Sequence, residues 1–327
     1  MTLIHDHIES QHLAGNLLGD PSRRDLIVYV PPSYHSSTRR YPTAYLLHWF
    51  GARAIDHMGP QWFGNTLALP PIDDVFDPLI AKHRAAEMIV VMADGWSTYG
   101  CSQWVDSPVN GNFEQYLLHD VVPYVDSQFR TIPDRASRGV FGLSSGGFGA
   151  WQMGSQHPDV FGAMAVLSGD SYYELLYKPM MYQWYNEIYP QEPNGPEGPG
   201  LAKMVYAIAS CFTPNVAKPP YYVDLPIAFP SGEVIEPLWN RWLSYDPVIN
   251  WAGRVENLQQ LRGILLDVGA HDEFNLHWGH RLLSRSLARA GIAHQSQEHD
   301  GNHAGRAYER YQVALGWLSE VLERQEG

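Results

Sequence analysis

Apolar residues along this chain gather into short runs separated by amphipathic stretches. DLIVYVPPSY (residues 25–34) reads as a strand stopped by Pro31 and Pro32. TAYLLHWFG (43–51), EMIVVMADG (87–95), RGVFGLS (138–144), GAMAVLSG (162–169) and LRGILLDVG (261–269) are apolar without alternation, the pattern of strands covered on both faces. FEQYLLHDVVPYVDSQF (113–129) has apolar residues at helical spacing, with a kink expected at Pro123. FGAWQMGSQH, HWGHRLLSRSLARAG and the terminal RAYERYQVALGWLSEVLERQ also read as helices, and IAHQSQEH as a last strand. Strands alternating with helices predict an α/β fold with a mainly parallel sheet and helices on both faces.

The alternation breaks over residues 171–251, which are rich in Tyr, Trp and Pro and lack clean periodicity. QEPNGPEGPG (191–200) within them is a loop by composition. The expectation is therefore one domain, residues 1–327, interrupted by a cap over 171–251. Tyr172, Tyr173, Tyr177, Tyr182, Trp184 and Tyr185 lie in that cap. They would either form its own core or line an acyl or aromatic pocket.

Composition narrows the function classes. The 327-residue chain is 45% hydrophobic, 13% aromatic and 17% charged, with a formal charge of −13. An acidic chain does not suit the phosphate backbone of a nucleic acid. No run approaches the roughly 18 apolar residues of a membrane span. The N-terminal MTLIHDHIESQHLAGN has neither a basic nor an apolar signal region, so a cytoplasmic location is expected, with Cys101 and Cys211 as thiols. A homo-oligomer is compatible with the sequence.

Candidate chemistry centres on VFGLSSGGFGA (140–150). Gly142-Leu143-Ser144-Ser145-Gly146 fits G-x-S-x-G between an expected strand and an expected helix, the setting in which a sharp turn displays a serine. The glycine spacing of a phosphate-binding loop does not occur. Ser144 is the expected nucleophile; Ser145 lacks the glycine two residues earlier. A serine needs a base, and His303, in the glycine-flanked loop between the last strand and the last helix, is the candidate, with His299 as competitor. Asp272, past the end of the 261–269 strand, is the candidate acid, with Glu273 beside it and Asp267 in the strand. The oxyanion donors would be the backbone N–H groups of Ser145 and of Phe50 or Gly51, in the loop after the 43–51 run.

VYVPPSY, YPTAYLLHWFGA, YVDSQFRT, RGVFGLSSGGFGAW, HPDVFGAMAVLSG, DVGAHDEF and GNH together resemble the esterase D-type α/β-hydrolases, a group that includes feruloyl esterases, S-formylglutathione hydrolases and mycolyltransferases. The resemblance covers residues 24–169 and 261 to the C-terminus. It implies the α/β-hydrolase fold and Ser144, Asp272 and His303 as a catalytic triad. His48-Trp49-Phe50-Gly51 departs from the family's usual His-Gly followed by an apolar residue, so that Trp49 would narrow the pocket or shift the oxyanion loop.

The expected activity is hydrolysis of a small carboxylic ester through an acyl-serine, without a cofactor, on short-chain or aromatic acyl groups. Trp49, Trp184 and Tyr185 are the expected pocket residues. Acyl transfer to an alcohol on the same triad is the alternative. No metal is expected: His5, Asp6, His7 and His12 read as a solvated segment, His271, His277 and His280 as the triad's surroundings and a polar helix face, and Glu114, after Asp106, Asn110 and Asn112, as a first-turn helix acid.

Overall fold

The computed structural model describes residues 2–59, 70–184 and 201–325. Its main sheet has eight strands: β1 (Leu3–Glu9), β2 (Arg23–Tyr29), β3 (Thr43–Leu47), β4 (Ile89–Ala93), β7 (Arg138–Leu143), β8 (Ala163–Leu167), β9 (Gly263–Gly269) and β10 (Gln295–His299). A two-stranded hairpin, β5 (Asp106–Ser107) and β6 (Gly111–Asn112), lies outside it. The order is β1-β2-β4-β3-β7-β8-β9-β10. Within the eight-stranded sheet β1 with β2 and β2 with β4 are antiparallel, and the remaining pairings are parallel.

The central strands are buried throughout, so their side chains alternate between two apolar layers. In β3, Tyr45 and Leu47 point into a layer with Trp104 and Trp151, while Ala44 and Leu46 point into one with Phe76, Tyr311 and Leu318. Helices α1 (Ile72–Ala81), α2 (Val122–Gln128), α3 (Ser145–Gln156), α7 (Leu276–Arg289) and α8 (Ala307–Val321) cover the faces. Pro78 sits inside α1 and cannot donate to the Asp74 carbonyl; the Tyr308 hydroxyl donates to it instead at 3.4 Å. At Pro123 the expected kink takes the form of a wide π-helical turn, Tyr116–Val121, just before α2.

The N-terminal segment expected to be solvated is instead the edge strand β1. Its only fully buried residue is Ile8, and its histidines face out, as edge strands commonly do with polar side chains. His5 and His7 both turn toward Asp25 on β2, at 2.7 and 3.2 Å.

Residues 171–251 contribute α4 (Tyr177–Gln183), α5 (Leu201–Phe212) and α6 (Glu236–Leu243) and a third apolar cluster. Tyr173, Tyr177, Phe212, Trp239 and Trp242 are its centre, and Tyr99, Phe148, Val268 and Leu276 join it to the sheet domain. Phe212 stacks on Tyr245 at 4.2 Å and on Tyr173 at 6.0 Å. Tyr173 and Tyr177 are therefore core residues of the segment, whereas Tyr182 is exposed. Tyr185 and the expected loop at 191–200 lie outside the described residues. Cys101 and Cys211 are both buried free thiols.

One contact joins the sheet to the site. A Cβ on Gly146 would lie 1.9 Å from the Leu47 carbonyl oxygen, and one on Gly142 would lie 2.5 Å from the same atom. Both obstacles are backbone and cannot rotate away. Gly146→Ala should destabilise the protein by at least the roughly 1–3 kcal/mol typical of overpacking. Urea unfolding measures this, and a loss under 0.5 kcal/mol would show that β3 and α3 can separate freely.

Candidate active site

Ser144 is the residue between β7 and α3. Its backbone sits at φ 59° and ψ −125°, a conformation that costs a non-glycine residue energy and persists only when surroundings enforce it. The enforcement is visible: Ser144 N–H donates to the Leu167 carbonyl at 3.0 Å, and its own carbonyl accepts from Phe148 N–H at 2.9 Å. Ser145 opens α3, so its N–H belongs to the first turn, which has no intrahelical acceptor.

The loop after β9 and the loop after β10 meet at His303. Asp272 Oδ2 lies 2.8 Å from His303 Nδ1, and the Asp272 side chain is fully buried. Asp272 Oδ1 accepts from Phe274 N–H at 2.9 Å, which fixes the carboxylate, and the Phe274 ring meets the imidazole edge-on at 4.8 Å. Glu273 does something different: it accepts the backbone N–H of His303 at 2.9 Å, so it holds the loop rather than the ring. Burial pulls the His303 pKa down. The hydrogen bond and charge of Asp272, with the charges of Asp170 and Glu273, outweigh burial and leave it above the ordinary value of 6.5.

The competitors are placed elsewhere. His299 faces Asp267 at 3.7 Å, and Asp267 faces Arg310 at 3.2 Å. Burial pushes the Asp267 carboxyl up to about 6 and the His299 imidazole down. The histidines around Asp272 disperse: His271 pairs with Asp300 at 3.1 Å, and His280 meets Ser296 Oγ at 2.8 Å. Glu114 lies in the first turn of a short helix and pairs with His157 at 3.0 Å.

The loop after β3 is held from below. Gly95 N–H donates to His48 Nε2 at 2.8 Å, so the imidazole proton is on Nδ1, which donates to the Trp49 carbonyl at 3.0 Å. Burial lowers the His48 pKa, in keeping with this neutral tautomer. Two expectations for this loop need correction. Gly51 N–H already donates to the Gly100 carbonyl at 2.9 Å, so of the two alternative donors Gly51 is already engaged. Trp49 is only 6% exposed and packs edge-on against His57, because its ring turns down into the core beneath the loop. Trp184 caps α4 and packs against the third cluster, half-buried.

Two features carry no sequence signal. Asp170, in the loop after β8, is buried beside Ser145; only its place after the apolar GAMAVLSG run hints at it. A cleft of about 780 Å³ opens in the 171–251 segment between Tyr206, Tyr221, Leu225, Ile227, Phe229 and Leu238. Tyr99 links this cleft to the β3 loop: its hydroxyl donates to the Tyr221 carbonyl at 3.0 Å, and its neighbour Gly100 holds Gly51. No helix among the described residues is long and apolar enough to cross a membrane.

Residues 21–316 match the Esterase family model. The chain belongs to the Esterase family. The chain is 29% identical over 151 residues to Esterase Rv1288 of Mycobacterium tuberculosis, covering 43% of this chain and 28% of that protein. It is 29% identical over 152 residues to an endo-1,4-beta-xylanase/feruloyl esterase of Xylanibacter ruminicola, covering 44% and 19%. The matches thus span less than a third of the length of these curated relatives. Among solved structures, a ferulic acid esterase superposes with TM-score 0.65 at 20% identity over 98% of both chains. The S-formylglutathione hydrolase FrmB of Staphylococcus aureus does so with TM-score 0.60 at 16% identity, over 97% and 98%. These similarities establish the α/β-hydrolase fold for this chain.

The His303 environment makes a direct prediction. Its imidazole, followed by NMR, should titrate above 6.5, and Asp272→Asn should lower the midpoint. A midpoint below 6.5 in the unaltered esterase would mean that burial, not Asp272, dominates.

Proposed function

We propose that this esterase cleaves small carboxylic esters with short-chain or aromatic acyl groups through an acyl-serine intermediate on Ser144. The observation that carries the reading is the short Asp272–His303 hydrogen bond in the same fold that displays Ser144 on a strained turn. In this reading His303 takes the Ser144 hydroxyl proton as the oxygen attacks the ester carbonyl. Asp272 holds the imidazole with its free nitrogen outward and stabilises the cation that forms. The carbonyl oxygen becomes an oxyanion, received by the N–H groups of Ser145 and Phe50. The imidazolium returns its proton to the leaving alcohol. Water, deprotonated by the same histidine, then attacks the acyl-serine and releases the acid.

The acyl preference rests on the 171–251 segment. Its cleft is bounded by tyrosine, phenylalanine and aliphatic side chains, with the Lys218–Asp224 ion pair at 2.6 Å on the wall. Ligand sites commonly combine such apolar walls with few polar groups.

Ser144→Ala should lower ester turnover by as much as about 10⁶-fold, the scale seen when a triad serine is removed. It should also abolish labelling by a fluorophosphonate probe. Labelling that survives in Ser144→Ala and vanishes in Ser145→Ala would move the nucleophile by one residue.

Tyr221→Ala should re-rank a panel of acetyl, butyryl and cinnamoyl esters, with probe labelling retained. Equal loss on every ester would remove the cleft from substrate selection.

A further inference from the structure

Behind the nucleophile turn lies a closed polar cluster drawn from four separate segments. Asp170 comes from the loop after β8, Ser145 from the first position of α3, Gln103 from the loop after β4, and Tyr177 from α4. None is more than 1% exposed. Three donors converge on one oxygen: Asp170 Oδ2 accepts from the Tyr177 hydroxyl at 2.7 Å, the Ser145 hydroxyl at 3.2 Å and the Gln103 amide at 3.3 Å. The same Gln103 amide lies 3.3 Å from Ser145 Oγ and 3.2 Å from the Tyr177 hydroxyl. Gln103 reaches this place from a left-handed backbone, φ 51°.

A buried carboxylate is a poor device for stability. Its desolvation offsets most of what its hydrogen bonds return, and apolar residues of the same volume serve as well or better. Position is what such a cluster can supply. The Ser145 N–H has no carbonyl one turn earlier to aim it, and the residue before it sits in a strained conformation. The side chain of Ser145 is thus the handle by which the surroundings can fix the 144–145 peptide plane, and an error of a fraction of an ångström in an oxyanion donor is costly.

We propose that Asp170 is a positioning residue for the oxyanion hole: through the Ser145 hydroxyl it sets the direction of the Ser145 N–H, and through the Tyr177 hydroxyl it ties that setting to the 171–251 segment. Tyr177 is itself wedged between Tyr173, at 4.6 Å, and Trp242, at 5.7 Å and nearly perpendicular. The packing of the inserted aromatics therefore reaches the reacting carbonyl through two hydrogen bonds. The proposal rests on Ser144 as nucleophile and deepens that reading.

The test is a double-mutant cycle on kcat and KM with a single acetyl ester, on variants first checked for an unchanged thermal transition. Asp170→Asn should lower kcat by about 10- to 100-fold, below the roughly 10²- to 10³-fold cost of deleting a donor outright. KM should stay within about threefold. Ser145→Ala should lower kcat by several-fold, and Tyr177→Phe should act in the same direction with smaller effect. The variant with Asp170→Asn and Ser145→Ala together should be no slower than Asp170→Asn alone, because both remove one contact. Independent, multiplying effects would overturn the proposal, as would Asp170→Asn with kcat within threefold of the unaltered esterase. If Asp170→Asn does not fold, the Tyr177→Phe and Ser145→Ala cycle decides by the same criterion. Failure of the nucleophile reading would show separately, as probe labelling that persists in Ser144→Ala.

Discussion

The backbone of α3 touches the backbone of β3, and the arrangement of the site follows from that contact. The Leu47 carbonyl stands where a Cβ of Gly146 or Gly142 would have to go. Glycine at both places lets the helix start directly against the end of the neighbouring strand. Leu47 is the last residue of β3, so the chain that continues from it, His48 to Gly51, passes beside the first turn of α3. Two stretches far apart in sequence thus lie backbone against backbone. The strain at Ser144 is the other face of the same constraint, since a turn this tight leaves the displayed residue no ordinary conformation.

Charge around this volume is arranged by burial as much as by pairing. Asp272 lies against the imidazole and its carboxylate is fixed by the Phe274 N–H, so its charge meets the ring at short range. Under the β3 loop, Asp94 lies 3.6 Å from Arg24 and 3.7 Å from His48, all three buried. His48 is nevertheless neutral, because Gly95 N–H occupies its Nε2 and desolvation opposes a cation. Burial opposes the cation in both histidines of this region; the Nδ1 proton of His303 meets the Asp272 carboxylate, which outweighs it, whereas that of His48 meets only the Trp49 carbonyl.

How much of this was legible in the sequence depends on whether the signal was local. The glycine–serine pattern at 142–146 is a local requirement of a single turn, and the buried parallel strands are continuous apolar runs, so elbow and sheet could be read directly. Asp272 and Glu273 are neighbours with the same chemistry; only the crossing of two loops decides that one meets the ring and the other the backbone N–H. The edge strand β1 is hidden because its exposed residues are His5, His7 and Glu9, which also suit a solvated tail. Helix α5, LAKMVYAIASCF, is buried along nearly its whole length, and periodicity alone does not separate so short an apolar run from a buried strand. Asp170 is invisible for a different reason. Its partners come from four places in the chain, and no spacing rule connects them.

Trp49 shows how a departure from a familiar motif can preserve its purpose. A large ring in an oxyanion loop suggests a narrowed pocket, yet here the ring points into the core against His57. Its carbonyl accepts from both the His48 imidazole and Ala52 N–H, at 3.0 and 3.1 Å. Side chain and carbonyl together pin Trp49 on its inner side. The next side chain, Phe50, reaches outward over Gly100, where a Cβ would come within 2.8 Å of its ring. With Trp49 anchored below and Phe50 resting on Gly100, the peptide between them has little freedom to rotate. The bulk that seemed aimed at a substrate instead holds still the peptide that carries the Phe50 N–H.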